Sequence, residues 1–383
     1  MKIVQIITRL NFGGSSENLI DLCRKLKDEG FDVILVYGGD KVKQFDFKYY
    51  YLKELKREIG VLDDIKAFLK IIKILFREKP DVINTHTSKA GIIGRWAGFF
   101  YKLLSNKNTK IIHVPHGHIF YGYFSKPKTY FFIILEFLTS FITDFLVALT
   151  ENEKMETLKY GIGKEKKWHI IPSGVDYFQK LSGKDIREEF KIPKEKIVVG
   201  SVARLEPIKG IDYLIRSVKY LNEILKIKNI KDFPIFLIVG DGSQKDYLKK
   251  IADEDKVKEH IIFAGYREDV YDLINVMDIY VQPSLNEGMG RTVVMAEILS
   301  KPIIASSVCG LKDLITDAYN GYLVEPKNSL ELAMKIYELF KNEDLRKNMG
   351  QKSFELVNRE ENGFKYYSFE REYLLYKKLY MGA

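Results

Sequence analysis

The sequence predicts an α/β protein built from two Rossmann-like domains, each a doubly wound parallel sheet. Three observations predict it. The chain has 383 residues, too many for one ordinary core and enough for two. Short β-branched runs alternate with segments of helical periodicity, which is the pattern of βα units. That alternation breaks between about residues 165 and 196 and then starts again.

In the first half a strand over Ile3–Thr8 leads to a helix over about Ser16–Glu29 and a strand over Asp32–Tyr37. A helix over about Asp63–Glu78 follows, stopped by Pro80, which leads into the strand Asp81–Thr85. Next come a helix from about Ala90, the strand Lys110–Val114, a helix over Lys128–Phe141 and the strand Phe145–Leu149. In the break, Trp168–Pro172 reads as a short strand, Ser173–Asp176 as a turn and Asp185–Phe190 as a charged helix ending before Pro193. The second series has strands at Lys196–Ser201, Ile235–Val239, Ile261–Phe263, Ile279–Gln282 and Pro302–Ala305. We therefore expect domains at 1–178 and 179–364. Phe369, Tyr373, Leu374, Tyr376, Leu379 and Tyr380 recur at helical spacing and predict a closing helix within 365–383.

A hydrophobic content of 46% with 30% charged residues describes a globular chain and excludes a disordered or fibrous one. The net charge of +9 suits an anionic partner. Nucleic acid, acidic lipid headgroups and phosphorylated metabolites all qualify, and so does a merely well-solvated surface. Two cysteines, Cys23 and Cys309, lack the spacing of a metal cluster or redox pair and fit a reducing cytoplasm. The N-terminus starts directly as a strand, without the features of a signal peptide. The apolar stretch Tyr130–Leu149 is long enough to raise the question of a membrane span, but it contains Glu136 and Asp144. We read it as helix then strand, with aromatic residues beside Lys126 and Lys128 that suit a bilayer surface.

Ligands of doubly wound sheets bind beyond the carboxyl ends of the strands, so the loops after the strands carry the functional reading. Thr8–Gly14 contains Gly13-Gly14 at the start of a helix, which lets a ligand approach backbone N–H groups or simply makes a tight turn. Arg204 and Lys209, five residues apart on one loop, can grip a diphosphate from two directions, or can be two solvated cations. Asn286–Arg291 joins a carboxylate, Glu287, to a glycine-rich turn opening a helix. Hydroxyl recognition beside anion recognition is what a sugar nucleotide requires, although acidic residues are also common where helices begin. His116 and His86 each end a first-domain strand, where histidine can exchange hydrogen bonds with sugar hydroxyls. Neither has the spacing of a zinc site, and we infer no metal. Lys89, at the opening of the next helix, is a candidate contact for an acidic acceptor or a surface residue.

Taken in order, these segments resemble the retaining glycosyltransferases of family 4. The resemblance spans nearly the whole chain: Gly13-Gly14, THTSKAG at 85–91, PHGH at 115–118, IPSGVD at 171–176, VARLEPIKG at 202–210, VGDG at 239–242, GYRED at 265–269 and LNEGMGRTVVMAEILSKPIIAS at 285–306. It implies the GT-B fold, two Rossmann-like domains facing a cleft that holds the active site. The first domain would bind the acceptor and the second the nucleotide sugar. Arg204 and Lys209 would hold the donor diphosphate, with the Gly13-Gly14 loop approaching it from the first domain. Glu287 with Gly288, Met289, Gly290 and Arg291 would hold the transferred sugar, and His116 would meet it at the reaction centre. Gly240 would lie in the donor site, Tyr266 and Arg267 near the base, and His86 and Lys89 on the acceptor side. The closing helix would cross back to the first domain.

The same resemblance implies a metal-independent enzyme without a cofactor, using a UDP- or GDP-sugar. Its acceptor would be a glycan or a lipid-linked sugar, with no nucleic acid partner. The basic, aromatic stretches Lys41–Lys56 and Phe120–Lys128 suit peripheral contact with an anionic membrane on the cytoplasmic side, or an ordinary exposed surface. One position departs from the family pattern. A second Glu usually follows the first by eight residues and binds the ribose; here that position is Met295, with Glu297 two residues on. Two helical steps turn a side chain by roughly 200°, so Glu297 is not a direct substitute. The alternatives are a sugar-nucleotide epimerase of the same architecture and a non-catalytic basic protein that docks on membranes. A glycosidase is disfavoured because no pair of catalytic carboxylates stands out.

Overall fold

The computed structural model describes residues 1–10, 13–39 and 44–382. The chain divides into two compact units, Met1–Gly174 with Phe369–Ala383, and Val175–Ser368. The sequence reading placed the divisions at 178 and 364; the units change four residues earlier and four residues later.

In the first unit the strands are β1 (Lys2–Ile7), β2 (Asp32–Tyr37), β3 (Lys48–Tyr51), β4 (Val82–His86), β5 (Lys110–Val114), β6 (Phe145–Ala148) and β7 (Trp168–Ile170). They form one sheet in the order β3-β2-β1-β4-β5-β6-β7, and every pairing is parallel. The helices are α1 (Gly14–Asp28), α2 (Val61–Glu78), α3 (Ser88–Ser105), α4 (Lys126–Ser140) and α5 (Glu151–Leu158). The edge strand β3 was not expected from the sequence, since Lys48-Tyr49-Tyr50-Tyr51 lacks an apolar alternation.

In the second unit the strands are β8 (Val198–Val202), β9 (Ile235–Val239), β10 (Ile261–Gly265), β11 (Ile279–Gln282), β12 (Ile303–Ser306) and β13 (Gly321–Val324). Their order is β10-β9-β8-β11-β12-β13, again all parallel. The helices are α6 (Ile186–Glu189), α7 (Ile211–Ile227), α8 (Lys245–Glu254), α9 (Val270–Asn275), α10 (Arg291–Ile298), α11 (Leu311–Leu314), α12 (Ser329–Lys341) and α13 (Glu343–Val357). The edge strand β13 was also missed. A short hairpin, β14 (Glu360–Glu361) with β15 (Phe364–Lys365), precedes the last helix, α14 (Phe369–Met381).

Both sheets reverse direction beside their first strand, between β1 and β4 and between β8 and β11. A crevice opens at such a switch point, and the loops leaving these strands are the ones the sequence singled out. The core of the second unit joins Val199, Val281 and Ile304 of the sheet to Ile215 and Val218 of α7 and Ile336 of α12. The core of the first joins Val4, Ile6, Ile34 and Ile83 to Ile71 of α2 and Ala97 of α3.

The apolar stretch at 130–149 divides into the end of α4 and β6, as expected. Its carboxylates are both satisfied: Glu136 Oε2 lies 2.5 Å from Arg95 Nη2, and Asp144 Oδ2 accepts from the Ile111 N–H at 2.8 Å. Among the described residues no helix is long and apolar enough to cross a membrane. Helix α14 packs within the first unit. Its Glu372 accepts from Asn18 Nδ2 at 2.5 Å and from the Gly174 N–H at 2.7 Å.

Candidate functional site

In the second unit the loop after β8 is shaped by close backbone packing. Gly210 adopts φ +63°, and a Cβ there would stand 2.1 Å from the Pro283 carbonyl oxygen. Only glycine fits both the left-handed backbone and that approach. The turn brings Lys209 to the loop after β11, where its Nζ lies 2.6 Å from Glu287 Oε2. Ser284 Oγ donates to the same oxygen at 3.0 Å, and Gln282 Nε2 donates to Ser284 Oγ at 2.8 Å. Gln282 and Ser284 are buried, so Glu287 is held by a polar chain that comes up from the strand. Sequence reading missed both residues. Their signal was two polar side chains, Gln282 and Ser284, at the end of an otherwise apolar strand.

Glu287 leads into the turn 288–290. The Glu287 carbonyl accepts from the Gly310 N–H at 3.0 Å, and a Cβ on Gly310 would stand 1.9 Å from the Gly288 carbonyl oxygen. Met289 is buried, Gly290 has φ +94°, and α10 starts at Arg291 with its first N–H groups at the end of this turn. A helix N-terminus beside a lysine makes a place for an anion. Arg204 is exposed on the same loop as Lys209. The geometry therefore joins Lys209, Glu287 and the 288–291 turn.

Other expected donor residues lie in different settings. Gly240, at φ +136°, faces the Ala203 carbonyl, from which a Cβ would be only 1.9 Å away. Tyr266 is 43% exposed. Arg267 is bound to two carboxylates, through Nε to Asp269 Oδ1 at 2.8 Å and through Nη2 to Glu189 Oε2 at 3.0 Å. Its guanidinium holds the Asp269 carboxyl down to about 2. Glu297 turns into the core, where it accepts from Asn320 Nδ2 at 3.2 Å and burial raises its carboxyl well above the usual range. Met295 is only partly buried, so the helix does separate these two side chains.

In the first unit, β4 and β5 run in register, with His86 opposite Val114, and this brings His86 to His116. Their rings meet edge to edge, 27° from parallel with centroids 5.1 Å apart, and His86 Nδ1 lies 2.8 Å from His116 Nε2. Burial, reinforced by His116, lowers the His86 pKa well below the ordinary imidazole value. His116 has φ 56°, an uncommon backbone for a residue with a Cβ. The next peptide is pinned by Glu153, which is fully buried and accepts from the Gly117 N–H at 2.7 Å and the Leu149 N–H at 2.7 Å. Glu153 is a third residue that the sequence reading missed. Gly13 caps α1 with φ 138°, and Gly14 opens it. Asn11 and Phe12 of this loop, and Lys41 of the basic stretch, lie outside the described residues. Lys89 is drawn to α2, with its Nζ 2.6 Å from Asp64 Oδ1.

Residues 12–177 match the family model described as Glycosyltransferase Family 4, and residues 182–356 match that described as Glycosyl transferases group 1. The chain is 28% identical over 314 residues to the UDP-Gal:alpha-D-GlcNAc-diphosphoundecaprenol alpha-1,3-galactosyltransferase of Escherichia coli, covering 78% of each. It is 32% identical over 288 residues to an uncharacterized 41.2 kDa protein in the cps region of Klebsiella pneumoniae, covering 74% of each. Its fold is like that of Anabaena HepE solved in complex with UDP-glucose, with a TM-score of 0.80, 19% identity and 100% of both chains covered. With both units matched and the GT-B architecture in place, the chain belongs to glycosyltransferase family 4.

Proposed function

We propose that this glycosyltransferase moves a sugar from a UDP- or GDP-sugar to a glycan or lipid-linked acceptor in cell-surface polysaccharide biosynthesis. The second unit takes the donor and the first unit takes the acceptor. The observation that carries this reading is the Lys209–Glu287 contact at 2.6 Å beside the N-terminus of α10. A cation, a carboxylate and the positive end of a helix converge there, matching the phosphate and the hydroxyls of a sugar nucleotide. The role of the E. coli relative, which acts on a diphosphoundecaprenol-linked sugar, supports the lipid-linked acceptor.

In the reaction the bond between the anomeric carbon and the diphosphate oxygen breaks and a bond to an acceptor hydroxyl oxygen forms. The acceptor's proton passes to the leaving diphosphate. Negative charge grows on the diphosphate, and Lys209, Arg204 and the α10 N–H groups stabilise it, a role in which one donor is worth roughly 3–4 kcal/mol. These groups supply the positive charge that a metal ion would otherwise bring, so we assign a metal-independent transfer. Retention of configuration follows from the family resemblance, as does the placement of His116 and Glu287 against the transferred sugar. Met295 leaves the ribose hydroxyls without the usual carboxylate, and we expect a nucleotide pocket of altered preference.

We further propose that the first unit docks on an anionic membrane from the cytoplasmic side. Helices α2, α3 and α4 carry Leu62, Leu69, Leu104, Tyr130, Phe131 and Ile134, each more than half exposed. Lys66, Lys70 and Lys73 lie along the exposed side of α2. Exposed apolar groups interleaved with cations suit a headgroup layer. The buried free thiols Cys23 and Cys309 suit a reducing compartment.

Thermal shift with UDP, GDP and their sugars tests the donor assignment, because a ligand bound only by the native state raises its melting point. Donor turnover with and without a lipid-linked acceptor separates transfer from epimerisation. A flat response to every nucleotide sugar overturns the reading.

A further inference from the structure

The polar side chains behind His116 form a buried chain that ends in the last helix. Gln5 of β1 and Asn84 of β4 sit opposite each other in the sheet. Gln5 Nε2 donates to Tyr380 Oη at 3.1 Å, and Asn84 Nδ2 donates to the same oxygen at 2.7 Å. With its NH2 turned toward Tyr380, the Gln5 amide presents its oxygen to His86, 2.9 Å from Nε2. Gln5, Asn84 and Tyr380 are fully buried, and His86 is 1% exposed, so water does not relax these choices.

The bonding roles then follow in sequence. A carbonyl oxygen only accepts, so His86 carries its proton on Nε2. Burial keeps His86 neutral, which leaves a lone pair on its Nδ1. The proton in the 2.8 Å contact between the two rings must therefore belong to His116, on Nε2. His113, bonded to Thr85 beside this pair, is likewise held neutral by burial, with the Arg95 charge adding to the effect.

We propose that Tyr380, Gln5 and His86 form a positioning relay that fixes His116 as its Nε2–H tautomer and holds its ring edge-on to His86. The C-terminal helix thus acts on the candidate site from within the first unit, through three side chains and no ligand contact. A neutral histidine has two tautomers, and which nitrogen bears hydrogen is set by the partner of the other ring atom. Here that partner is another histidine, whose own tautomer is set by an amide, whose orientation is set by a tyrosine. The relevance to transfer rests on the reading of His116 as a sugar contact; the tautomer itself rests on the hydrogen-bond geometry and the burial of His86.

The test is a long-range proton–nitrogen correlation spectrum of the full chain labelled with 15N-histidine, with the His116 signals assigned by their loss in His116→Asn. The relay requires a protonated Nε2 and an unprotonated Nδ1 on His116 in the parent protein. It also requires Tyr380→Phe to show mixed tautomers and a kcat reduced about tenfold, with the donor KM within twofold. A parent His116 protonated on Nδ1 overturns the proposal without any variant having to fold. An unchanged spectrum or an unchanged kcat in Tyr380→Phe also overturns it. A parent protein that transfers from no nucleotide sugar sinks the transferase reading instead, and the parent spectrum still decides the relay.

Discussion

Lys209 Nζ and Glu287 Oε2 are 2.6 Å apart, so the cation assigned to the diphosphate and the carboxylate assigned to the sugar neutralise each other. The two residues come from the loops after β8 and β11, the strands that flank the switch point of the second sheet. Both side chains are nearly buried, at 16% and 15% exposed. A diphosphate entering this place competes with Glu287 for the ammonium. Glu287 keeps the Ser284 hydroxyl when that happens, so the carboxylate stays in position while the lysine turns to the phosphate.

Lys209→Ala removes the ammonium and leaves the Ser284–Glu287 bond. We expect transfer to slow by about a hundredfold or more, the scale for losing one preorganised donor to a developing anion. Single-turnover kinetics with saturating donor give the measurement. Turnover near that of the parent rejects the role assigned to Lys209.

Ser284→Ala acts on the same carboxylate from below. It removes the O–H that Glu287 accepts and takes from the Gln282 amide its 2.8 Å acceptor, leaving only the 3.5 Å contact to Glu287 Oε2. We expect a stability loss of about 1–3 kcal/mol by urea denaturation, together with a severalfold rise in the donor KM. A variant with parent stability and parent KM shows that this polar chain does not hold Glu287.

How far the sequence made this site legible depends on whether a partner was near in the chain. Lys209 and Glu287 were found because each follows a strand, and strand ends are where doubly wound sheets place their chemistry. Gln282 and Ser284 were hidden inside what reads as the end of a strand. Arg267 was expected near the base because its motif suggested so. Its partner Glu189 is 78 residues away, and nothing local announces that pair. Lys89 was read as a candidate acceptor contact or a surface residue, and its ion-pair partner Asp64 lies on the preceding helix, where nothing local announces it. The central strands were legible because they are buried on both faces and read as apolar runs. The edge strands β3 and β13 were not: β3 is three tyrosines after a lysine with no buried position, and β13 is four residues opened by a glycine, too short to read as an apolar run.

Gly240→Ala tests whether a glycine of the VGDG motif works through the fold. The variant combines φ +136° with a Cβ 1.9 Å from a backbone carbonyl that no rotamer can move. The backbone region alone costs about 1–3 kcal/mol, and the clash pushes Ala203 and with it Arg204. We expect a lower urea midpoint and weaker UDP binding together. Parent stability with weakened UDP binding points instead to direct ligand contact at Gly240.

Glu297→Gln separates the core carboxyl from the donor site by the pH dependence of stability. Burial raises the Glu297 carboxyl well above its ordinary value of 4.5, so the native chain keeps a proton that the unfolded chain releases. Stability from this group is complete below the unfolded value and is lost as pH rises from there through the folded value. The slope is about 1.4 kcal/mol per pH unit while only the native state is protonated. Glutamine keeps an oxygen for the Asn320 amide and has no proton to lose. We therefore expect parent and variant to have similar unfolding free energies at pH 4, and the variant to be the more stable at pH 7. Donor affinity should not change, because this side chain faces Asn320 in the core and not the 288–291 turn. A variant that loses donor affinity places Glu297 in the nucleotide pocket after all, and a stability difference independent of pH removes the buried, protonated state on which the sign depends.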